Sequence, residues 1–139
     1  MRTTEEVPLL RQIRVRHVRG DEYMIRLRGH ELHTDQPEFD QGVSPVELFM
    51  ASLATCAAHY AGRFLRRHEL SLDGLSVLAE YGMADHPARV GRIRLTIDPP
   101  YSLTSHQATA MRAVVSNCTV HNTLRRPPEV EIRIGEEER

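Results

Sequence analysis

The chain has 139 residues, of which 40% are hydrophobic and 27% charged, and its formal net charge is −1. These values are ordinary for a single globular domain over residues 1–139, and the balanced charge excludes a global field that would recruit nucleic acid or an anionic membrane. The longest uncharged run, residues 48–62, is shorter than the ~20 residues of a membrane span, and the start lacks the apolar core of a signal peptide, so we expect a cytoplasmic protein.

The first third of the chain predicts a three-stranded antiparallel sheet. Side chains alternate in polarity over residues 10–18 and again over 22–28, which is typical of strands. The Arg-Gly-Asp sequence at 19–21 lies between these segments and predicts a hairpin turn. A third strand at about 30–34 precedes a polar loop over residues 35–43.

A long helix is predicted next. Ser44 suits the N-cap, Pro45 suits the first helical position, and Glu47 completes a capping box. Cationic residues at 63–68 suit its C-terminus. Residues 48–62 are apolar or small on nearly every face, so this helix must be covered on all sides. A chain of this size can hardly cover it alone, and we therefore expect a homodimer whose subunits share a core.

The remaining elements complete an α+β fold with mainly antiparallel sheets around the long buried central helix. Strands are predicted at about 73–82 and 90–98, and a capping box at 104–107 opens a second helix to about 117. Alternating polarity at 130–134 predicts a last strand. The predicted order is βββ-α-ββ-α-β.

The two cysteines are the residues most suggestive of chemistry. Cys56 lies deep within the central helix, and Cys118 ends the second helical pattern or opens a short turn after it. They are 62 residues apart (118 − 56), so only the tertiary fold can bring them together. Two thiols are compatible with redox chemistry, with a metal site, or with inert packing as small hydrophobic groups.

A zinc site is one of these alternatives. His59 and His121 each follow a cysteine by three residues, and positions i and i+3 share a helix face. Two cysteines and two histidines can close a tetrahedral zinc site. The spacing also arises easily by chance in a chain with 8 histidines.

Two segments resemble a known family. Residues 42–56, Gly-Val-Ser-Pro-Val-Glu-Leu-Phe-Met-Ala-Ser-Leu-Ala-Thr-Cys, resemble the central-helix signature of the OsmC/Ohr family. Residues 114–124, Val-Val-Ser-Asn-Cys-Thr-Val-His-Asn-Thr-Leu, are similar to the segment that carries its second cysteine. The resemblance implies an intertwined dimer and a thiol peroxidase of stress defence that reduces organic hydroperoxides. A dithiol would then be the reductant, and no bound cofactor would be needed.

The resemblance also implies roles for individual residues. Cys56 would be the reactive thiol and Cys118 the resolving thiol. Only a thiolate attacks a peroxide, so a neighbouring cation is required. In the peroxidases that this chain resembles, the cation is an arginine of the first hairpin. Arg19, at the turn of that hairpin, is therefore the expected cation here.

The helix start departs from the peroxidase pattern. In the well-attested peroxidases of the family a Glu directly follows the Pro, whereas here Val46 follows Pro45 and Glu47 comes one residue later. Glu47 precedes Cys56 by nine residues, about 13.5 Å along an ideal helix. We expect Glu47 to act first as a capping residue and second as an orienter of the Arg. This placement is nearer the less characterised OsmC-like branch of the family.

A second function therefore stays open, in which the protein binds an apolar or acyl ligand at the dimer groove without peroxidase turnover. Phe49, Met50, Leu53 and Tyr60 are candidates to line an apolar pocket beside Cys56. The same spacing is typical of residues that form a dimer core.

Overall fold

A computed structural model describes residues 5–8 and 11–135, and within them it contains five strands and three helices. In chain order the elements are β1 (Arg14–Arg19), β2 (Glu22–Leu27), β3 (His30–Thr34), α1 (Pro45–Arg67), β4 (Ser76–Ala84), β5 (Arg89–Asp98), α2 (Ser105–Val115) and α3 (Thr119–Arg125). They form two compact units, Met1–Leu48 and Phe49–Arg139. The mixed α+β fold with antiparallel sheets is confirmed, and the prediction of a single domain stays a prediction.

The N-terminal unit contains an antiparallel sheet in the order β1-β2-β3. The predicted hairpin turn is present: Arg19 pairs with Glu22, and Gly20 has a φ of 47°, which glycine adopts at little cost. The loop after β3 is organised by buried Asp35, whose carboxylate accepts from the backbone N–H groups of Gln36 and Gln41. This loop leads directly to the start of α1.

Helix α1 begins as the sequence predicts. The Ser44 backbone N–H donates to Glu47 Oε1 at 2.8 Å, and the Glu47 N–H donates to Ser44 Oγ at 3.2 Å. These reciprocal bonds satisfy donors that a helix start leaves without intrahelical partners. The last turn carries Arg66 and Arg67, which complement the negative end of the helix dipole.

In the second unit, α1 packs on two hydrophobic clusters. Its C-terminal half contributes Ala61, Phe64 and Leu65, which pack with Met111 of α2. Its N-terminal half contributes Met50 and Leu53, which pack with Cys118. Ala51, Ser52, Thr55 and His59 are exposed along α1. In this single chain the helix is therefore covered on part of its circumference only.

The hairpin β4–β5 and the two short helices complete the second unit. Strands β4 and β5 pair antiparallel from Ser76↔Asp98 to Ala84↔Arg89. Helix α2 has the predicted capping box, in which the Thr104 and Gln107 side chains exchange bonds with each other's backbone. Among the described residues no helix combines the length and hydrophobicity of a membrane span.

The end of the chain differs from the prediction. Residues 130–134 form no strand, and Val130 and Ile132 are 80% and 75% exposed. Alternating polarity gives a segment the capacity to pair, but a strand also needs a neighbour to complete its hydrogen bonds. No described residue supplies that neighbour within this chain. The order observed is therefore βββ-α-ββ-α-α, because the unpredicted helix α3 follows Cys118.

Candidate functional site

The two cysteines meet beside the N-terminal half of α1. Cys56 is half-buried on α1, and Cys118 is 1% exposed in the cluster with Met50 and Leu53, against which Cys56 also packs. Both are free thiols. Residues 62 apart in sequence (118 − 56) thus converge, as a two-cysteine chemistry requires.

Cys118 occupies the N-cap of α3 rather than a helix C-terminus. Helix α2 ends at Val115 with Ser116 as its C-cap, and Cys118 has the extended backbone of an N-cap residue. Its Sγ accepts a hydrogen bond from the backbone N–H of His121 at 3.4 Å. Of the two positions that the sequence allowed for Cys118, the end of a helix or the opening of the segment after it, the structure has the second.

Burial is the main influence on the pKa of the Cys118 thiol. Desolvation raises the pKa of the Cys118 thiol, the neighbouring Cys56 thiol raises it further, and the backbone N–H groups of His121 and Val120 oppose the shift. The pKa is raised overall, so Cys118 is held as a protonated thiol. A protonated thiol next to a more accessible partner suits a resolving residue.

A hydrogen bond ties the helices of the two cysteines together. The Tyr60 hydroxyl lies 3.1 Å from Thr119 Oγ1, and Tyr60 stands one helical turn after Cys56, while Thr119 directly follows Cys118. The Arg63 guanidinium carbon lies 5.2 Å from the Tyr60 ring centroid. Sequence reasoning treated Tyr60 as an apolar residue and missed Thr119, whose only signal was its position beside Cys118.

Arg19 lies at the end of β1, in the N-terminal unit. Its Nη1 donates to Glu22 Oε1 at 3.0 Å, and its side chain is 74% exposed. Glu22 is buried, and its Oε2 lies 2.9 Å from His33 Nδ1. Among the described residues the ion pair of Arg19 is with Glu22, and the prediction that Arg19 is the cation beside Cys56 stays a prediction.

Glu47 is a capping residue, as its first predicted role requires. Its carboxylate accepts from the Ser44 backbone at the start of α1, nine residues before Cys56. The prediction that Glu47 also orients an arginine stays a prediction.

The zinc alternative finds no support in the geometry. Within residues 5–8 and 11–135, no three His, Cys, Asp or Glu side chains are grouped so that they could hold a metal ion. Cys56, His59, Cys118 and His121 therefore do not form the tetrahedral set that the spacing allowed.

A cavity of about 660 Å³ lies in the second unit, and neither cysteine is among the residues that line it. It is bounded by apolar side chains of β5, α2 and α3, and also by Leu53. Three basic residues, Arg94, Arg112 and His121, line it, and none of its lining residues is acidic. Of the four residues predicted to line a pocket beside Cys56, Leu53 lines this cavity and the other three do not. Met50 is core, and Phe49 and Tyr60 pack against that core.

The segment that contains α1 and both cysteines matches a known protein family. The family model described as OsmC-like protein matches residues 38–133, which include both cysteines. The chain belongs to the OsmC-like family. A comparison with curated proteins gives no match.

Solved structures similar to this OsmC-like protein share its fold. An osmotic stress induced and detoxification response protein from Psychrobacter arcticus 273-4 is 22% identical, with 84% of this chain and 90% of that chain covered and a TM-score of 0.73. The organic hydroperoxide resistance protein OsmC of Legionella pneumophila is 20% identical, with 85% and 92% covered and a TM-score of 0.64. OhrB of Bacillus subtilis, an organic hydroperoxide resistance protein, is 15% identical, with 86% and 93% covered and a TM-score of 0.63.

Proposed function

We infer that this protein is a thiol peroxidase that reduces organic hydroperoxides through Cys56 and Cys118. The observation that carries the proposal is the convergence of these two thiols in one cluster, one half-buried and one buried. Two structural neighbours are organic hydroperoxide resistance proteins, which supports the choice of substrate class. Stress defence is the corresponding biological role.

The proposed cycle begins at Cys56, the more accessible thiol. Its thiolate attacks the distal oxygen of the hydroperoxide, the S–O bond forms, the O–O bond breaks, and the alkoxide leaves and takes a proton to become an alcohol. The resulting Cys56 sulfenic acid condenses with the Cys118 thiol, so that a disulfide forms and water leaves. A dithiol then reduces this disulfide by exchange and is itself oxidised.

Arg19 is proposed to stabilise the attacking thiolate and the negative charge that develops on the leaving oxygen. Its exposed guanidinium retains donors beyond the one that binds Glu22. Glu47 is proposed to fix the first turn of the Cys56 helix and, second, to orient an arginine.

A homodimer is part of the proposal. The exposed side of α1 includes Ala51 and Thr55, and the exposed Val130 and Ile132 lie in a segment with strand-like alternation that has no strand partner in the described chain. A second copy would cover these surfaces. Light scattering should give twice the chain mass, and a monomer at micromolar concentration would contradict it. A cytoplasmic location, where thiols are kept reduced, is proposed with the cycle.

The decisive experiment follows both thiols during reaction with one equivalent of cumene hydroperoxide. The wild type should lose both free thiols rapidly, and the Cys118→Ser variant should accumulate a Cys56 sulfenic acid that a sulfenic-acid reagent traps. Cys56→Ser is the matched control and should leave the hydroperoxide unconsumed. Thiol loss no faster than in denatured protein would overturn the peroxidase proposal.

A second candidate is favoured by the cavity. A volume of about 660 Å³ is within the range of small-molecule sites, and its apolar lining suits an acyl chain. In this alternative the protein binds an apolar or acyl ligand, at the dimer groove, without peroxidase turnover. Cys56→Ser should then leave the affinity for a fluorescent acyl probe unchanged, and loss of binding in that variant would contradict it.

A further inference from the structure

One polar contact links the helix that carries Cys56 to the helix that Cys118 opens. The Tyr60 hydroxyl lies 3.1 Å from Thr119 Oγ1, and among the described residues this is the side-chain hydrogen bond that joins α1 to α3. Tyr60 follows Cys56 by four residues, so the two side chains share one face of α1. Thr119 directly follows Cys118 and is the first residue of α3. The bond therefore runs from the face of α1 that carries one thiol to the residue next to the other.

The Tyr60 ring is restricted on its own helix. It is half-buried and packs against the cluster of Met50, Leu53 and Cys118. The Arg63 guanidinium carbon lies 5.2 Å from the ring centroid, within the range of a cation–π contact. Because the ring has both contacts, its hydroxyl is presented to Thr119 from a restricted position.

Helix α3 depends on such contacts for its orientation. It has seven residues, none of them buried, and a helix of this length is not stable by itself. Its first turn is anchored by Val120, which packs against the cluster of Cys118, and by the bond from Thr119 to Tyr60. Cys118 is the N-cap of this turn, and its Sγ accepts from the His121 backbone N–H at 3.4 Å. The orientation of the first turn therefore sets the position of the Cys118 sulfur.

We propose that Tyr60 and Thr119 are the positioning pair for the resolving step, and that their hydrogen bond holds Cys118 beside Cys56 while the disulfide forms. This inference rests on the proposed function, because it takes Cys118 to be the resolving thiol. In that step the S–S bond forms, the S–O bond of the Cys56 sulfenic acid breaks, and the Cys118 proton leaves with the hydroxyl as water.

The pair acts through Cys118 and takes no part in the bond changes. Two groups that are held together react faster than two groups that must first find each other. Burial raises the pKa of the Cys118 thiol, so this thiol is mainly protonated and is the weaker nucleophile. A weak nucleophile depends strongly on its placement, and we therefore expect the resolving step to be sensitive to the loss of this bond.

A trapping experiment separates the resolving step from the peroxide step. Reduced protein reacts with one equivalent of cumene hydroperoxide in the presence of dimedone, which traps sulfenic acids, and mass spectrometry gives the ratio of trapped Cys56 to disulfide. Tyr60→Phe removes the hydroxyl and keeps the ring. It should slow disulfide formation and raise this ratio about tenfold, while the rate at which the hydroperoxide is consumed in the first turnover stays at the wild-type value.

Thr119→Val removes the other hydroxyl and should raise the ratio by the same factor. The double variant should raise it no further, because both substitutions break the same bond. Thr119→Ser retains a hydroxyl and should give the wild-type ratio. Tyr101→Phe is the matched control, since the Tyr101 hydroxyl donates to the Ser71 carbonyl at 3.3 Å and Tyr101 packs against the other cluster. It should leave the ratio and the consumption rate unchanged.

The outcomes separate this inference from the proposed function. The inference fails, and the peroxidase stands, if Tyr60→Phe leaves the ratio unchanged, if it slows hydroperoxide consumption as much as disulfide formation, or if its effect adds to that of Thr119→Val. If Tyr60→Phe does not fold, Thr119→Val and Thr119→Ser, at an exposed position, decide the matter in the same assay. If the wild type consumes no hydroperoxide, or forms no bond between Cys56 and Cys118, both proposals fall.

Discussion

Oxidation should make this protein more resistant to unfolding, provided that Cys56 and Cys118 form the proposed disulfide. The perturbation is one equivalent of cumene hydroperoxide added to the reduced protein, with the oxidant then removed. The crosslink would close a loop of 62 residues (118 − 56). It would restrict the unfolded chain while joining two thiols that already share one cluster.

The size of the effect follows from the loop length. The chain-entropy relation gives about 4 kcal/mol for a loop of this length, and measured disulfides typically contribute about 2–4 kcal/mol. For a chain of this size that corresponds to a rise in melting temperature of roughly 8–16 °C. Because the folded chain already brings the two residues together, we expect little distortion to offset the gain.

The assay compares chemical and thermal unfolding of the reduced and oxidised protein. Cys118→Ser, treated with the same oxidant, is the control and should show no gain, since it cannot form the crosslink. Mass spectrometry of peptides confirms that the bond joins Cys56 to Cys118 within one chain. An oxidised protein that carries this bond but is no more stable than the reduced one would refute the reasoning, because it would mean that the bond distorts the native cluster.

Three further predictions concern the framework around the cysteines. Ser44→Ala should lower the free energy of unfolding by about 1 kcal/mol, because it removes the N-cap hydrogen bond from the Glu47 backbone N–H. Ser52→Ala, on the exposed face of α1, is the control and should lower it much less. Equal losses in denaturant titrations would contradict the capping argument. The raised pKa of Cys118 means that, above the ordinary thiol pKa of about 8.5, the unfolded chain binds fewer protons than the folded chain. The stability of the reduced protein should therefore be constant below that pH and fall above it, as the pH rises toward the pKa of Cys118 in the folded protein. Urea midpoints measured across this range should fall less in Cys118→Ser than in the wild type. Identical pH profiles of the two proteins would argue against a raised pKa of Cys118. Leu65→Ala, at a fully buried core position, should lower the free energy of unfolding by about 2–5 kcal/mol. Leu78→Ala, at an exposed position of β4, should lower it by less than about 0.5 kcal/mol. Similar denaturation midpoints for the two variants would show that the cluster around Leu65 is not the core.

Elements whose signals are local were predictable from the sequence. The Ser44–Glu47 and Thr104–Gln107 capping boxes each depend on residues three apart, and both form as predicted. The early strands are also found, because alternation and a glycine-containing turn are local properties of the chain. Helix α3 was missed because it is short and its N-cap is Cys118, which is not among the residues that usually announce a helix start.

The prediction for 130–134 was wrong for a different reason. Its alternation of apolar and charged residues is real, but alternation states only which face of a strand would be buried. Whether a strand forms depends on a partner for its backbone hydrogen bonds, and the described chain offers none.

The sequence by itself determined the secondary-structure signals, the family and the two thiols as the reactive candidates. The tertiary structure decided that Cys118 is buried beside Cys56, that burial raises its pKa, and that the ion pair of Arg19 is with Glu22. Capping and alternation arise between residues a few positions apart, so a sequence displays them directly. Burial, desolvation and the pairing of distant side chains arise only when the chain folds back on itself, and no local pattern encodes them.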